Sequence, residues 1–358
     1  MAEIILPGTY ITVRDEGLIT AGQVATGNIG IVGTATNGPF NEIVTLGSYS
    51  EAVEIFGKYD DWVDGTKNEL TLVRALEQIY FNGGNAVYAV AIPQKINDKA
   101  PTSTDYQAGL DLLENEIINI VLLAGQDVTD AGMETALMGH INTTAGRKRE
   151  RIGLIGCSNT NSADTIVSQM PTDSDRLIFV GPGITTTDKK VMTGAYTAAA
   201  VAGLLSGIQV QTSPTNKVLN VPGLVKAFNT PNLEKLVQAK VLAVEKRDGF
   251  RIVKGITTAT NSAWHQVTTR RIVDYAVYGV RSACNPYIGK LNNDRVRGAM
   301  KATLDAFLTR MVNDEALIGY KLSVTATRPQ EIAGEVAVTM TLQPTFSIDF
   351  IKVTMYLG

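Results

Sequence analysis

IINIVLLAGQDVTDAGMETALMGHINTTAGRKRERIGLI, residues 117–155, is the stretch that decides the fold. It opens with an apolar run at residues 117–124, which has the length of a buried strand. Residues 131–144 are predicted to form a helix, and residues 151–155 form a second short apolar run. A strand, a helix and a strand in this order predict a crossover unit, whose two strands lie parallel in one sheet.

The same alternation continues on both sides of this stretch. Each predicted strand is short and apolar, and the segments between strands have helical character or helix caps. The sequence therefore predicts an α/β fold with a mainly parallel sheet that is covered by helices on both faces. The further predicted strands are residues 29–34, 86–92 and 176–180, and the further predicted helices are residues 48–56, 69–80, 105–113, 162–170 and 192–205.

The chain changes character after residue 208. Prolines interrupt residues 208–260, which also contain a predicted hairpin around Asp248-Gly249 and are interpreted as a domain border. Residues 294–313 form a predicted helix with a single apolar stripe. The stripe consists of Val296, Met300, Leu304, Phe307, Leu308 and Met311.

The C-terminal stretch, residues 334–358, reads GEVAVTMTLQPTFSIDFIKVTMYLG. Alternating apolar residues before Pro344 predict one strand, and a second extended run follows it. The apolar set changes parity between Phe350 and Ile351, which suggests a bulge or a change of pairing partner. An uncovered apolar strand is an aggregation hazard, so we expect another sheet to cover it, in this subunit or in the next.

Residues 1–20 are also extended in character, and Pro7-Gly8 breaks any helix there. Two interpretations remain open at this point. The segment is either the first strand of the core or an arm that leaves the globule. Its apolar residues include Ile4, Leu6, Tyr10 and Val13.

The composition favours a protein that associates with copies of itself and argues against several other classes of protein. Charged residues make up 19% of the 358 residues, below the average of about 25%, which fits a protein that buries surface against copies of itself. The net charge of −3 argues against a broad nucleic-acid footprint. Cys157 and Cys284 form no metal-binding pattern and are expected to be reduced structural cysteines. The most apolar run is too short to span a bilayer, so a soluble, cytoplasmically made protein is expected.

Catalytic patterns are weak. Gly27, Gly30 and Gly33 are spaced GxxGxxG, but they lie before and inside a strand, whereas a dinucleotide site requires glycines that open a helix. His140 and His265 have no neighbouring cluster of ligand spacing and are expected to be core or surface residues. An α/β nucleotide-binding enzyme is kept as the alternative function.

Several segments in order carry a family resemblance. PGTY at residues 7–10 is similar to a family PGVY, and residues 29–57 match a pattern of strand, GP turn and helix ending in FG. Residues 72–92 match a helix, an NGG turn and a strand, and residues 251–276 contain a W and an RR pair, although an Arg common in the family is missing there. Together they resemble the contractile tail sheath family of bacteriophages and phage-tail-like bacteriocins over nearly the whole chain.

The resemblance implies an outer α/β domain inserted into an inner α+β domain that contains both chain ends. It implies an arm at residues 1–20, an outer domain at 21–230, an inner domain at 231–343 and an arm at 344–358. Each arm is expected to donate a strand to a neighbouring subunit, with soft joints at Gly17, Gly22 and Gly27. The expected inter-subunit arm residues are Ile4, Leu6, Tyr10, Val13, Phe346, Ile348, Phe350, Ile351, Val353 and Met355.

The resemblance further implies a non-enzymatic subunit that stacks as hexameric rings around an inner tail tube and contracts to drive that tube through a cell envelope. Arg295, Arg297 and Lys301 are expected to face the tube. Other expected partners are baseplate and tail terminator proteins, with no cofactor, no metal, no direct nucleic-acid contact and no membrane insertion. The expected location is a virion tail or tail-like particle, assembled in the host bacterial cytoplasm.

Overall fold

The computed structural model describes residues 25–59, 70–96, 99–185 and 189–356. The predicted arm residues Ile4, Leu6, Tyr10 and Val13 therefore lie outside the described residues, as do Gly17 and Gly22. The described residues form two compact units. The larger unit contains residues 25–274 and 346–356, and the smaller unit contains residues 275–345.

The larger unit is built on a nine-stranded sheet with the order β2-β3-β1-β4-β5-β6-β10-β11-β8. All neighbours from β3 to β10 are parallel, and β2, β11 and β8 add antiparallel strands at the two edges. The mainly parallel sheet is thus confirmed. The strands of this unit are β1 (Ile29–Ala35), β2 (Ile43–Leu46), β3 (Val87–Pro93), β4 (Ile120–Asp127), β5 (Ile152–Gly156), β6 (Leu177–Gly181), β7 (Ile184–Thr185), β8 (Val218–Leu219), β9 (Gly223–Leu224), β10 (Val241–Lys246) and β11 (Phe250–Ile252).

Helices cover both faces of this sheet, as predicted. Helices α1, α2 and α6 pack in the apolar core on one face, and helices α3, α4, α5 and α7 pack in the core on the other face. An eighth helix, α8, contains the boundary of the two units. The helices are α1 (Tyr49–Phe56), α2 (Leu72–Phe81), α3 (Ser103–Leu112), α4 (Met133–Gly146), α5 (Ala163–Ser168), α6 (Gly194–Gly207), α7 (Thr230–Gln238) and α8 (Val267–Cys284).

Local sequence explains these elements. Ser48 caps α1 by accepting a hydrogen bond from the Glu51 amide at 3.2 Å, and Gly57 ends the helix with φ of 81°. The small-residue helix α6 packs closely on α2, because a Cβ at Gly203 would lie 2.1 Å from the Ile79 carbonyl oxygen. The helix predicted over residues 192–205 is therefore confirmed, and its small residues explain the close contact.

The predicted hairpin around Asp248-Gly249 is present as β10 and β11. The sequence prediction assigned these strands to the inner domain, whereas in the structure they lie in the nine-stranded sheet. The physical reason is a long-range pairing, in which β10 joins β6 in parallel register. Residue spacing along the chain does not encode such a partner.

The smaller unit contains α9 (Asp294–Asn313), β12 (Leu317–Thr325), α10 (Arg328–Ala333) and β13 (Ala337–Pro344). The strands β12 and β13 pair antiparallel and form a two-stranded sheet. This pairing confirms that the run before Pro344 belongs to a sheet within its own chain. The predicted stripe of α9 is confirmed from Met300 to Met311, whose apolar members are buried.

Candidate functional site

An unusual surface of the described residues is the C-terminal run, residues 346–356. No strand or helix is assigned there. Its large apolar side chains are between 56% and 92% exposed, whereas folded proteins normally bury such side chains. An apolar run without internal burial marks a binding segment. The exposed residues are Phe346, Ile348, Phe350, Ile351, Val353, Met355 and Tyr356.

The parity change between Phe350 and Ile351 predicted a bulge or a change of partner. Since no strand is assigned to residues 346–356, neither residue has a ladder partner among the described residues. The structure therefore brings the C-terminal members of the predicted arm set together on one exposed segment. Their pairing with a neighbouring subunit stays a prediction.

The two-stranded sheet of the smaller unit has open edges, which complement an unpaired run such as residues 346–356. Among the described residues, β12 pairs only with β13, so each strand has an outer edge without a ladder partner. One face carries apolar side chains that are half-buried, including Leu322, Val324 and Met340, and the other face is polar and exposed. Such an edge is a template for an added strand.

The predicted tube-facing residues lie on or beside one helix but differ in their surroundings. Arg295 and Lys301 are exposed. Arg297 is buried, and its guanidinium donates to Asn292 at 2.7 Å and to Glu331 at 2.9 Å, and also contacts Asp294. Hydrogen bonds from Arg328 and then Arg297 lower the pKa of Glu331. Arg297 thus links α9 to α10, and the charge it could offer to a tube is already engaged.

The glycines of the alternative nucleotide site serve packing. A Cβ at Gly30 would lie 2.8 Å from the Ile118 side chain, and one at Gly33 would lie 2.5 Å from Ala124. Both positions are inside β1, where the sheet meets its covering elements. They therefore do not form a phosphate cradle.

Neither histidine belongs to a catalytic cluster of the described residues: His140 is a core residue and His265 is half-buried. His140 is buried in α4, and its Nε2 lies 2.9 Å from the Arg151 guanidinium. Burial lowers the pKa of His140 to about 3 and also lowers the pKa of His265. Within the described residues, no group of three acidic, His or Cys side chains is placed to hold a metal ion. No helix of the described part of the chain is long and apolar enough to cross a membrane.

Two polar clusters were not predicted as functional. Side chains of Asn119, Ser206 and Arg271 bind the backbone of residues 25–27, and Gln266 binds Ser347. The consecutive arginines Arg270-Arg271 were the available signal. Arg270 is explained by its ion pairs with Asp175 at 2.7 Å and Asp274 at 2.8 Å, but Arg271 has no such pair among the described residues.

Comparisons with known proteins give a consistent result. The family model of the phage tail sheath protein central domain matches residues 99–258, and that of the phage tail sheath C-terminal domain matches residues 259–358. The two models together cover residues 99–358 without a gap. No curated protein matches the chain.

Solved sheath structures share the fold. The sheath complex of an extracellular contractile injection system, PVC, in its contracted state has a TM-score of 0.77 at 15% identity, covering 99% of this chain and 98% of that one. The contracted helical sheath of the anti-feeding prophage has a TM-score of 0.75 at 18% identity, covering 99% of both chains. A sheath tail protein from Desulfitobacterium hafniense has a TM-score of 0.64 at 13% identity, covering 94% of this chain and all of that one.

Proposed function

Because this chain belongs to the contractile tail sheath family, whose members are structural proteins rather than enzymes, we propose that it works by assembly as the sheath subunit of a contractile tail or tail-like particle. In this proposal, subunits stack as hexameric rings around an inner tube. Contraction of the sheath then drives the tube through a target cell envelope. The site of assembly is the host bacterial cytoplasm.

The observation that carries the proposal is the exposed C-terminal run, taken with the open edges of β12 and β13. A run such as residues 350–356 supplies backbone donors and acceptors, and the edge of a two-stranded sheet needs them. Each hydrogen bond of an added strand contributes about 1 kcal/mol. Burial of the exposed apolar side chains adds about 25 cal/mol for each Å² removed from water.

The proposed exchange is between subunits. The C-terminal run of one subunit adds a strand to the two-stranded sheet of a neighbour, and the N-terminal segment with Ile4, Leu6, Tyr10 and Val13 adds another. Each arm is then covalently part of one subunit and is paired with the sheet of another, so the arms link each subunit to its neighbours. Such links hold while the subunit bodies move from one packing to another, as sheath contraction requires.

The proposed partners follow from the same assembly. They are further copies of this chain, the inner tube protein, and the baseplate and tail terminator at the two ends of the polymer. Support for the baseplate comes from the anti-feeding prophage baseplate, a six-fold symmetrised structure containing a chain with a TM-score of 0.75 and 19% identity.

A truncation after Asp349 tests the proposal. It removes residues 350–358 and leaves the contacts of Ser347 and Asp349 with the large unit in place. We expect a folded monomer with an unchanged melting temperature that forms no tubes or rings. Circular dichroism, size-exclusion chromatography and negative-stain electron microscopy measure these properties.

A matched control keeps the length of the segment. The full-length chain with Lys352→Ala and Thr354→Ala retains every apolar side chain of the run and should polymerise like the natural sequence. Tubes of normal yield from the truncated chain would overturn strand donation by the C-terminal run. Small uniform particles from the full-length chain, under conditions where it is folded and concentrated, would overturn the sheath proposal itself.

A further inference from the structure

We infer that Arg271 and Gln266 are anchor residues, which fix the roots of the N-terminal and C-terminal arms to the rigid α/β unit. This inference rests on the proposed function, since it assumes that both segments act as inter-subunit arms. The N-terminal root is residues 25–28, and the C-terminal root is residues 347–350. Both roots and both anchors lie in the larger unit.

The N-terminal root is held by three side chains on three successive carbonyl groups. Asn119 Nδ2 donates to the Ala25 carbonyl at 3.0 Å, Arg271 Nη2 to the Thr26 carbonyl at 3.3 Å, and Ser206 Oγ to the Gly27 carbonyl at 2.6 Å. Asn119 directly precedes β4, Arg271 lies in α8 and Ser206 lies in α6. A loop that merely passed over the surface would not need a separate donor for each carbonyl.

Gly27 contributes through its lack of a side chain. A Cβ at this position would lie 2.3 Å from the Ser206 carbonyl oxygen, a backbone atom that cannot move aside cheaply. The root therefore lies directly against the end of α6. The expectation that Gly27 is a soft joint is corrected here, because the position is a close approach between two backbones.

Arg271 is the centre of this arrangement. Its guanidinium also donates to the carbonyls of Leu205 at 2.7 Å, Ile208 at 3.0 Å and Gln209 at 3.4 Å. These carbonyls lie at the C-terminal end of α6, where helix carbonyls lack internal partners and the helix dipole favours a cation. A buried cation normally has a carboxylate partner, and Arg271 has none among the described residues. Burial lowers its pKa to about 10.

The C-terminal root is held by the Gln266 side chain, whose amide group forms hydrogen bonds with a backbone as a neighbouring strand would. Gln266 Oε1 accepts from the Ser347 amide at 3.1 Å, and its Nε2 donates to the Ser347 carbonyl at 3.4 Å. Lys254 pairs with Asp349 at 3.4 Å and lies 5.2 Å from the centre of the Phe350 ring. Gln266 is itself fixed, because it forms a β-bridge with Ile256.

The two anchors are five positions apart, at the start of α8. Tension on either arm would thus act on residues 266–271. Through Arg271 it would also act on the end of α6 and on the sheet that α6 covers. An arm without a fixed root would peel away from the body before it could pull on a neighbour. The anchors let an arm transmit force to a rigid body instead.

Hydrogen exchange on the unassembled full-length protein tests the N-terminal anchor. Arg271→Met and Gly27→Ala disrupt the root in different ways, the first by removing donors and the second by displacing the backbone. The Asn28 amide reports on this root, because it donates to Asn119 Oδ1 at 3.1 Å. We expect its exchange to accelerate about tenfold in each variant, without a comparable change in the central strands. For the C-terminal root, Gln266→Ala should accelerate exchange of the Ser347 amide, which donates to Gln266 Oε1, and leave the Asn28 amide unchanged.

The control is Arg251→Met. Arg251 also donates to backbone carbonyls, those of Asn216 at 2.9 Å and Arg247 at 3.0 Å, but it does not contact either root. If Arg271→Met destabilises the whole fold, Gly27→Ala still tests the root, since it leaves the guanidinium and its carbonyl partners at the end of α6 in place. Unchanged exchange of the Asn28 amide in Gly27→Ala would overturn the inference.

A second readout separates anchoring from simple stability. Polymers of Gln266→Ala should form but break into shorter pieces on contraction, whereas polymers of Arg251→Met should contract intact. Equal fragment lengths for both variants would overturn the anchoring role. Absence of any polymer from the natural sequence would instead overturn the proposed function, and the exchange experiment would still decide whether the roots are anchored.

Discussion

His140 and Arg151 show how a single buried pair fixes a protonation state. A guanidinium can only donate hydrogen bonds, so Nε2 of His140 must accept from Arg151 and the ring is neutral with its proton on Nδ1. Arg151 is fully buried and also donates to carbonyls at the end of the α3 region, including those of Leu113 and Glu116. Burial first, and the Arg151 charge second, lower the pKa of His140 to about 3.

This pair predicts a specific loss of stability in acid. The unfolded ring, with a pKa of 6.5, takes up a proton as the pH falls below that value, whereas the folded ring stays neutral down to about pH 3. The stabilisation is therefore complete above pH 6.5 and declines as the pH falls towards 3. Between pH 7 and pH 4, the natural protein should lose about 3 kcal/mol more stability than His140→Gln. Urea unfolding at both pH values measures this difference, and equal losses would show that His140 is not responsible.

At the level of elements, the sequence was most informative where the pattern is local. The buried stripe of α9 depends on neighbours within a few turns of chain, and the crossover from residue 117 to residue 155 depends on one continuous run of strand, helix and strand. It was least informative where partners are remote. The parallel pairing of β10 with β6, and the carbonyl groups that surround Arg271, come from segments more than fifty residues away.

A remote partner also explains why Arg297 does not lie on the charged face that the sequence predicted. On a helical projection it shares a line with Lys301, which predicts a common charged face, yet its guanidinium turns towards Glu331 on α10. We expect Arg297→Met to lower the melting temperature, because it leaves Glu331 with one ion-pair partner fewer, Arg328 being the other. Lys301→Met, on the same helix and exposed, is the matched control and should leave melting unchanged. Thermal denaturation followed by circular dichroism compares them, and identical melting curves would contradict a linking role for Arg297.

At the scale of the whole molecule, the proposed function assigns assembly to two kinds of surface, which differ in chemistry. In that proposal the arms pair with neighbouring subunits through backbone groups and apolar side chains, so their contacts should depend little on salt. The exposed cations of the α9 region, Arg295 and Lys301, would attach to a tube by charge, and contacts between exposed charges weaken as salt rises. In the proposed contraction the tube contact has to release, and contacts between exposed charges release more readily than strand pairing does.

This difference yields a prediction for assembly on a tube. Charge reversal by Arg295→Glu with Lys301→Glu should slow tube-templated polymerisation at low salt while leaving tube-free polymerisation unchanged. The effect should shrink near 1 M salt, where the Debye length is about 3 Å and attraction between exposed charges is largely screened. Light scattering with and without purified tubes measures both rates, and Arg247→Glu with Lys246→Glu, on exposed positions of the β10–β11 hairpin, is the control. Equal templated rates for both double variants at low salt would place the tube contact elsewhere on the subunit.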